Sequence, residues 1–246
     1  MTSYLILTKR GRRFGEPSDR RRLYLYLGGV TVFWLAADWP LAAIGAGYLL
    51  SAHTLQYMLF VFAVPPLIIA GLPPWLMRAG LRLPLVEPLA RFFSRPLQAF
   101  LTFNFVLLAS HMPDVVDGLT VTQFGSFAVN MAWIFSGFVF WWQIIGPLPE
   151  LEPMPYPGRL LFLLANIIVP TVPASFLTFA QYPVYSLYEL APPLGGLTPV
   201  EDQRIAALIM KVLGGLIIIG IGGVLFFRWS RIEGVDDESG DLTLPT

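Results

Sequence analysis

The chain has 246 residues, 55% hydrophobic and only 13% charged, and its 16 basic and 16 acidic side chains cancel to a net charge of zero. Soluble domains carry about 25% charged residues, so the composition argues against an ordinary soluble globule and against a nucleic-acid partner, and with long apolar runs it points to a membrane protein. Cysteine is absent, which excludes disulfides, thiolate metal sites and a cysteine nucleophile.

Residues 1–22 hold Lys9, Arg10, Arg12, Arg13, Arg20, Arg21 and Arg22. The apolar stretch after them is long, and Asp38-Trp39-Pro40 stands where a signal peptide would have a small-residue cleavage site. The segment reads as a basic cytoplasmic arm near anionic lipid, or, in its first half, as a solvated tail. Six apolar segments follow, at 23–37, 43–64, 96–110, 124–145, 160–181 and 205–227. A transmembrane helix needs about 20 residues, so the first and third must extend into their flanks. Residues 23–230 are therefore expected to form an all-α, polytopic membrane helical bundle of about six transmembrane helices. The 75–95 stretch mixes apolar residues with four arginines and reads as interfacial. Trp141 and Trp142 suit the aromatic belt at the inner end of the fourth span. Residues 231–246 read as an acidic disordered tail.

Placing the amino terminus inside puts 14 of the 16 Lys and Arg in the basic arm, the inner loops or the inner end of the last span. Only Arg204 then lies outside, and Lys211 lies within the last span. Asp38, Asp114, Asp117, Glu189, Glu201 and Asp202 fall on the outer side. This follows the positive-inside rule and predicts cytoplasmic termini at both ends.

The polar residues at membrane depth carry the functional signal. His53 lies about ten residues into the second span, roughly 15 Å from its outer end, with Gln56 and Tyr57 on neighbouring positions of the same face. His111 marks the outer end of the third span. Each histidine has two readings: for His53 an interhelical hydrogen bond or a metal or proton site, and for His111 a solvated or capping role or ligation. Neutral imidazole suits copper and thioether suits Cu(I), which makes Met112 and Met210 candidate ligands beside His53 and His111. Either methionine can instead be simple packing. Lys211 either snorkels outward or faces a polar cavity. Pro65-Pro66 late in the second span and Pro170 with Pro173 in the fifth predict broken or kinked helices whose freed carbonyls need partners. Gly215 and Gly222, seven apart, share one face of the last span.

The stretch HTLQYMLFVFAVPPLIIAG, from His53 to Gly71, resembles the HMxQHMLL…APPLLxxG segment of the caa3-type CtaG family. The resemblance continues in His111-Met112-Pro113, in GFVFWWQIIGPLP at 137–149, in PASFLTFAQYPVYSLY at 173–188, and in DQRIAALIM at 202–210, similar to the family's DQxxAGxIMW. Those are bacterial membrane proteins linked to assembly of cytochrome c oxidase. The departures mark a divergent member. Tyr57 stands where the family has a second histidine, FAVNMAW lacks the His and Glu of the family's fourth span, Lys211 replaces a tryptophan, and six spans replace the usual seven.

The resemblance implies a membrane factor assisting assembly of a haem-copper cytochrome c oxidase, with oxidase subunits as partners and copper handled on the outer side. It also implies location in the bacterial inner (plasma) membrane. The chain keeps only His53 and His111 of the family histidines, a set compatible with Cu(I). The alternatives are a non-catalytic accessory subunit or scaffold of a respiratory complex, and a small transporter with His53 and Lys211 at its gate. No paired carboxylates at membrane depth, activated nucleophile or cofactor motif is recognisable, so no catalytic activity is expected.

Overall fold

The computed structural model describes residues 19–241; most of the basic arm (1–18) and the last residues of the acidic tail (242–246) lie outside the described residues. Every regular element among the described residues is helical. The first helix, α1 (Arg20–Ala37), starts at Asp19, whose carboxylate accepts the Arg21 N–H at 2.9 Å. A short helix, α2 (Leu41–Gly45), leads into α3 (Leu50–Gly71). Two helices follow at the arginine-rich end, α4 (Pro74–Leu81) and α5 (Val86–Phe93), and then α6 (Pro96–Ser110). The chain continues through α7 (Pro113–Gly118), α8 (Gln123–Ile145), α9 (Tyr156–Ile168), α10 (Thr171–Phe179) and α11 (Ser186–Glu189). The last helix, α12 (Pro199–Glu233), continues as helix to Asp241.

All six apolar segments are found as helices. Four are long and apolar enough to cross a membrane outright: α3, α8, the α9–α10 unit and α12. A fifth appears if α5 and α6, which meet at 88°, count together. The bend falls where Pro96 opens α6, since the residue before a proline disfavours helical backbone. Helix α5 thereby turns off the bundle with Val86, Leu89 and Phe92 exposed, as expected of an interfacial segment. Helix α1 has 18 residues, but three arginines occupy its first turn.

The core is built on α3 and α8. Trp133, Phe60, Phe103 and Phe140 are its largest fully buried side chains. Close helix approach requires glycine at two places in particular. A Cβ on Gly29 of α1 would lie 2.8 Å from the Ile68 side chain of α3, and one on Gly137 of α8 would lie 2.9 Å from the Val61 carbonyl oxygen. Both are shorter than packed atoms tolerate, so any side chain there would separate the helices.

The paired prolines produce the expected irregularity. Leu59–Ala63 is a π-helical turn immediately before Pro65-Pro66. Pro65 has no N–H for the Val61 carbonyl four residues back, and the buried Trp141 indole of α8 donates to that oxygen at 2.9 Å. Pro170 separates α9 from α10. A second π-helical turn, Ile209–Leu213, lies within α12.

Other long side chains close helix ends. Arg22 donates to the Leu72 carbonyl at 3.1 Å beyond the end of α3, and Gln56 to the Ala36 carbonyl at 2.8 Å near the end of α1. Arg159 donates to the Ile144 carbonyl at 3.0 Å, where Gly146 ends α8 in the left-handed region at φ +54°. Asn104 of α6 donates to the Asn166 side chain of α9 at 2.9 Å, a polar link inside the apolar bundle. Both residues are buried, so each amide needs the other or a backbone partner.

Candidate functional site

The two histidines arrive at one end of the bundle from different helices. His53 sits in the first turn of α3, and His111 follows the last residue of α6. They flank a shared pair of rings, Tyr57 and Trp133. The His53 ring centroid is 4.9 Å from that of Trp133, and the His111 centroid is 5.4 Å from that of Tyr57. Tyr57 and Trp133 are themselves 5.1 Å apart in edge-on contact. The two imidazoles thus stand on the same ring pair from different helices. Both are partly exposed, whereas Tyr57 and Trp133 are buried.

The hydrogen bonds define the donor atoms. His111 Nδ1 lies 2.7 Å from the Leu107 carbonyl oxygen. A carbonyl only accepts, so Nδ1 carries the proton and the neutral ring presents Nε2 as its basic nitrogen. The His53 ring makes no hydrogen bond among the described residues, so the interhelical bond considered for it is not formed. Among the described residues the buried Trp133 indole N–H, packed against His53 and Tyr57, also has no partner. Polar capacity is thus left open on both sides of this ring cluster.

A hydrogen-bonded layer holds the two histidines in place. Asp202, at the start of α12 and only 2% exposed, accepts the Leu50 N–H at 2.6 Å, the Ser51 N–H at 3.2 Å and the Ser51 hydroxyl. Its carboxylate therefore caps the helix that carries His53. Gln203 accepts the Val184 N–H at 2.7 Å and donates to the Leu177 carbonyl at 3.1 Å. Tyr185 donates to the His111 carbonyl at 2.8 Å, and Tyr188 donates to the Gly45 carbonyl at 2.7 Å. Burial pushes both phenols up, helped by Asp117 at Tyr185 and by Asp202 at Tyr188. Each hydroxyl therefore keeps its proton and remains a donor. Asp117 accepts the Ser186 and Leu187 N–H groups at 3.0 Å, fixing α11 above the site. The Tyr188 ring closes to 6.1 Å from His53.

The remaining candidates lie apart from the ring pair in different ways. Met112 directly follows His111 and is 57% exposed. Met210 is 4% exposed and lines a cavity that Tyr57 also lines. Lys211 is exposed at the same cavity. Among the described residues no group of three or more His, Cys, Asp or Glu is placed to hold a metal. The side chains here that could ligate a soft cation are the two imidazoles and the exposed Met112 thioether that follows His111 in sequence. That set suits Cu(I) and does not suit a four-ligand zinc or Cu(II) centre.

Comparison with known proteins gives a consistent assignment. The family model described as cytochrome c oxidase caa3 assembly factor (Caa3_CtaG) matches residues 2–232. Uncharacterized protein Mb0105 of Mycobacterium bovis and Uncharacterized protein MT0111 of Mycobacterium tuberculosis are each 25% identical over 247 aligned positions, covering 89% of this chain and 36% of theirs. The chain thus spans about a third of the length of these relatives. No solved structure matches.

Proposed function

Because the chain belongs to the cytochrome c oxidase caa3 assembly factor family, we propose that it assists assembly of a haem-copper oxidase by holding Cu(I) as cargo between His53 and His111. The observation that carries this reading is the convergence of the two imidazoles of the described chain on one ring pair, Tyr57 and Trp133. His111 offers Nε2, and His53 has a ring free of hydrogen bonds. Two imidazoles give a low-coordinate site from which the ion can leave, and exposed Met112 is the thioether free to close on it. Met210, the other thioether candidate, is buried at the cavity beside Tyr57. The role is delivery, not catalysis. The positive-inside pattern supports a multi-pass protein of the bacterial plasma membrane with both termini cytoplasmic and the histidines facing out. Oxidase subunits are the partners this reading implies.

Competition between detergent-purified protein and a Cu(I) chelator tests it. One ion per chain, lost in His53→Ala and in His111→Ala, is the expected result. Absence of stoichiometric binding, or binding indifferent to both changes, overturns it. Among the described residues no third His, Cys, Asp or Glu joins the pair, and this favours a second reading, a non-catalytic scaffold of the oxidase. In that case oxidase subunits co-purify equally with the wild-type chain and His53→Ala, and no copper is bound.

A further inference from the structure

Three breaks in helical regularity border one cavity: the π-helical turn of α3 (Leu59–Ala63), that of α12 (Ile209–Leu213), and the Pro170 interruption between α9 and α10. The cavity measures about 160 Å³, and its wall includes Tyr57, Met58, Asn166, Pro170, Met210 and Lys211. Irregular backbone at membrane depth is tolerated where it lines a cavity or is buried in protein, and π-helical turns recur at functional sites. Gly214 and Gly215 of α12 complete the wall where a side chain would narrow it. The opening lies sideways. Pro170 and Gly215 are partly exposed between Ile168, Val172 and Leu216, whose apolar side chains face outward.

The polar groups of this cavity are unequally committed. Asn166 donates to the Phe162 carbonyl at 2.7 Å and accepts from Asn104 at 2.9 Å. Thr171 donates to the Ile167 carbonyl at 3.2 Å. The Tyr57 hydroxyl and the Lys211 ammonium have no hydrogen-bond partner among the described residues. The two free groups can donate, so the missing ligand has acceptors. Its head is about one six-membered ring, because an apolar cavity of about 150 Å³ accommodates benzene. A ligand that enters sideways from the bilayer also carries an apolar tail.

We propose that this cavity binds the carbonyl-bearing ring of a lipid-soluble quinone. Tyr57 and Lys211 donate to its oxygens, and its tail leaves between α10 and α12 into the lipid. A fatty-acid carboxylate would answer Lys211 but leave the ring-sized space unfilled. The site lies beside the proposed copper site: the two share Tyr57, and Met210, the second thioether candidate, stands in the cavity wall.

The test uses the full chain in nanodiscs, with radiolabelled decyl-benzoquinone as the probe and empty nanodiscs as the blank. Saturable binding at one site per chain is expected. Tyr57→Phe removes one hydrogen bond and weakens binding by up to about tenfold. Gly215→Leu fills the cavity and abolishes binding. A Cβ at Gly215 meets nothing within 4 Å, and an unchanged Cu(I) titration of this variant reports a folded chain and keeps the two sites distinguishable. Gly220→Leu, equally free of clashes and away from the cavity, leaves quinone binding intact. No saturable binding above the blank, equal binding by Gly215→Leu and wild type, or saturable oleate binding that decyl-benzoquinone does not displace would each overturn the proposal.

Discussion

Replacing Asp202 by alanine should loosen the helix that presents His53. The carboxylate comes from α12 and caps α3, whose first residues have no side-chain cap of their own. Alanine leaves the Leu50 and Ser51 N–H groups without an acceptor where Leu50 is 4% exposed and the carboxylate was 2% exposed. Each unsatisfied buried donor costs about 1–3 kcal/mol, and loss of a helix N-cap costs about 0.5–2 kcal/mol. Because these contributions overlap, the expected loss is about 2–4 kcal/mol. Asp202→Asn keeps one acceptor oxygen but not the charge that favours a helix amino terminus, and should lose about half as much. Ser51→Ala removes only the hydroxyl donor and should lose about 1 kcal/mol. Thermal unfolding in detergent, followed by tryptophan fluorescence, should rank the proteins wild type, Ser51→Ala, Asp202→Asn and Asp202→Ala in falling stability. If Asp202→Ala melts with the wild type, the interhelix cap does not hold α3.

Trp141→Phe removes the donor that answers the Val61 carbonyl freed by Pro65; a loss of about 1 kcal/mol is expected in the same melting assay. Gly137→Ala forces a Cβ to 2.9 Å from the Val61 carbonyl oxygen and should cost about 1–3 kcal/mol as the helices separate. At the arginine-rich end, the hydrogen bond from Arg78 holds the Glu150 carboxyl below the usual carboxylate range. A depressed folded-state value means that its stabilisation is present above the ordinary carboxylate range and disappears as pH falls through the folded-state value. The small difference in melting between wild type and Glu150→Gln should therefore close on acidification, and a gap that persists at low pH would contradict the pairing.

The bundle was legible because its signals are local. Apolar run length found every long helix, although the second runs Leu50–Gly71 and not 43–64 because Leu41–Gly45 forms a helix of its own, and the prolines placed the breaks at 59–66 and 169–171. What local pattern could not show was which group repairs each break. The Val61 carbonyl is answered by Trp141, 80 residues away. The cap on α3 comes from Asp202, some 150 residues away. An acidic residue at the foot of a long apolar segment was the available hint, but it read only as an outer-side charge. The histidines were legible as polar residues of apolar segments, but His53 does not lie some ten residues into its span. The short helix Leu41–Gly45 is separate and α3 starts at Leu50, so both imidazoles stand at helix ends. Their shared ring pair was not legible, because Trp133 reads as one more apolar residue of the fourth span. The same limit hid the Asn104–Asn166 link, in which each residue sits singly inside an apolar run. Lys211 reads at the sequence level as snorkelling or cavity-facing, and the structure makes it both exposed and part of a cavity wall.

X-ray absorption of the Cu(I)-loaded protein is the most direct measurement of the imidazole pair. The account predicts a copper shell containing two histidine nitrogens at about 2 Å, with the bound copper lost in the His53→Ala, His111→Ala double variant. A shell of sulfur alone at about 2.3 Å, or copper retained by the double variant, would contradict it.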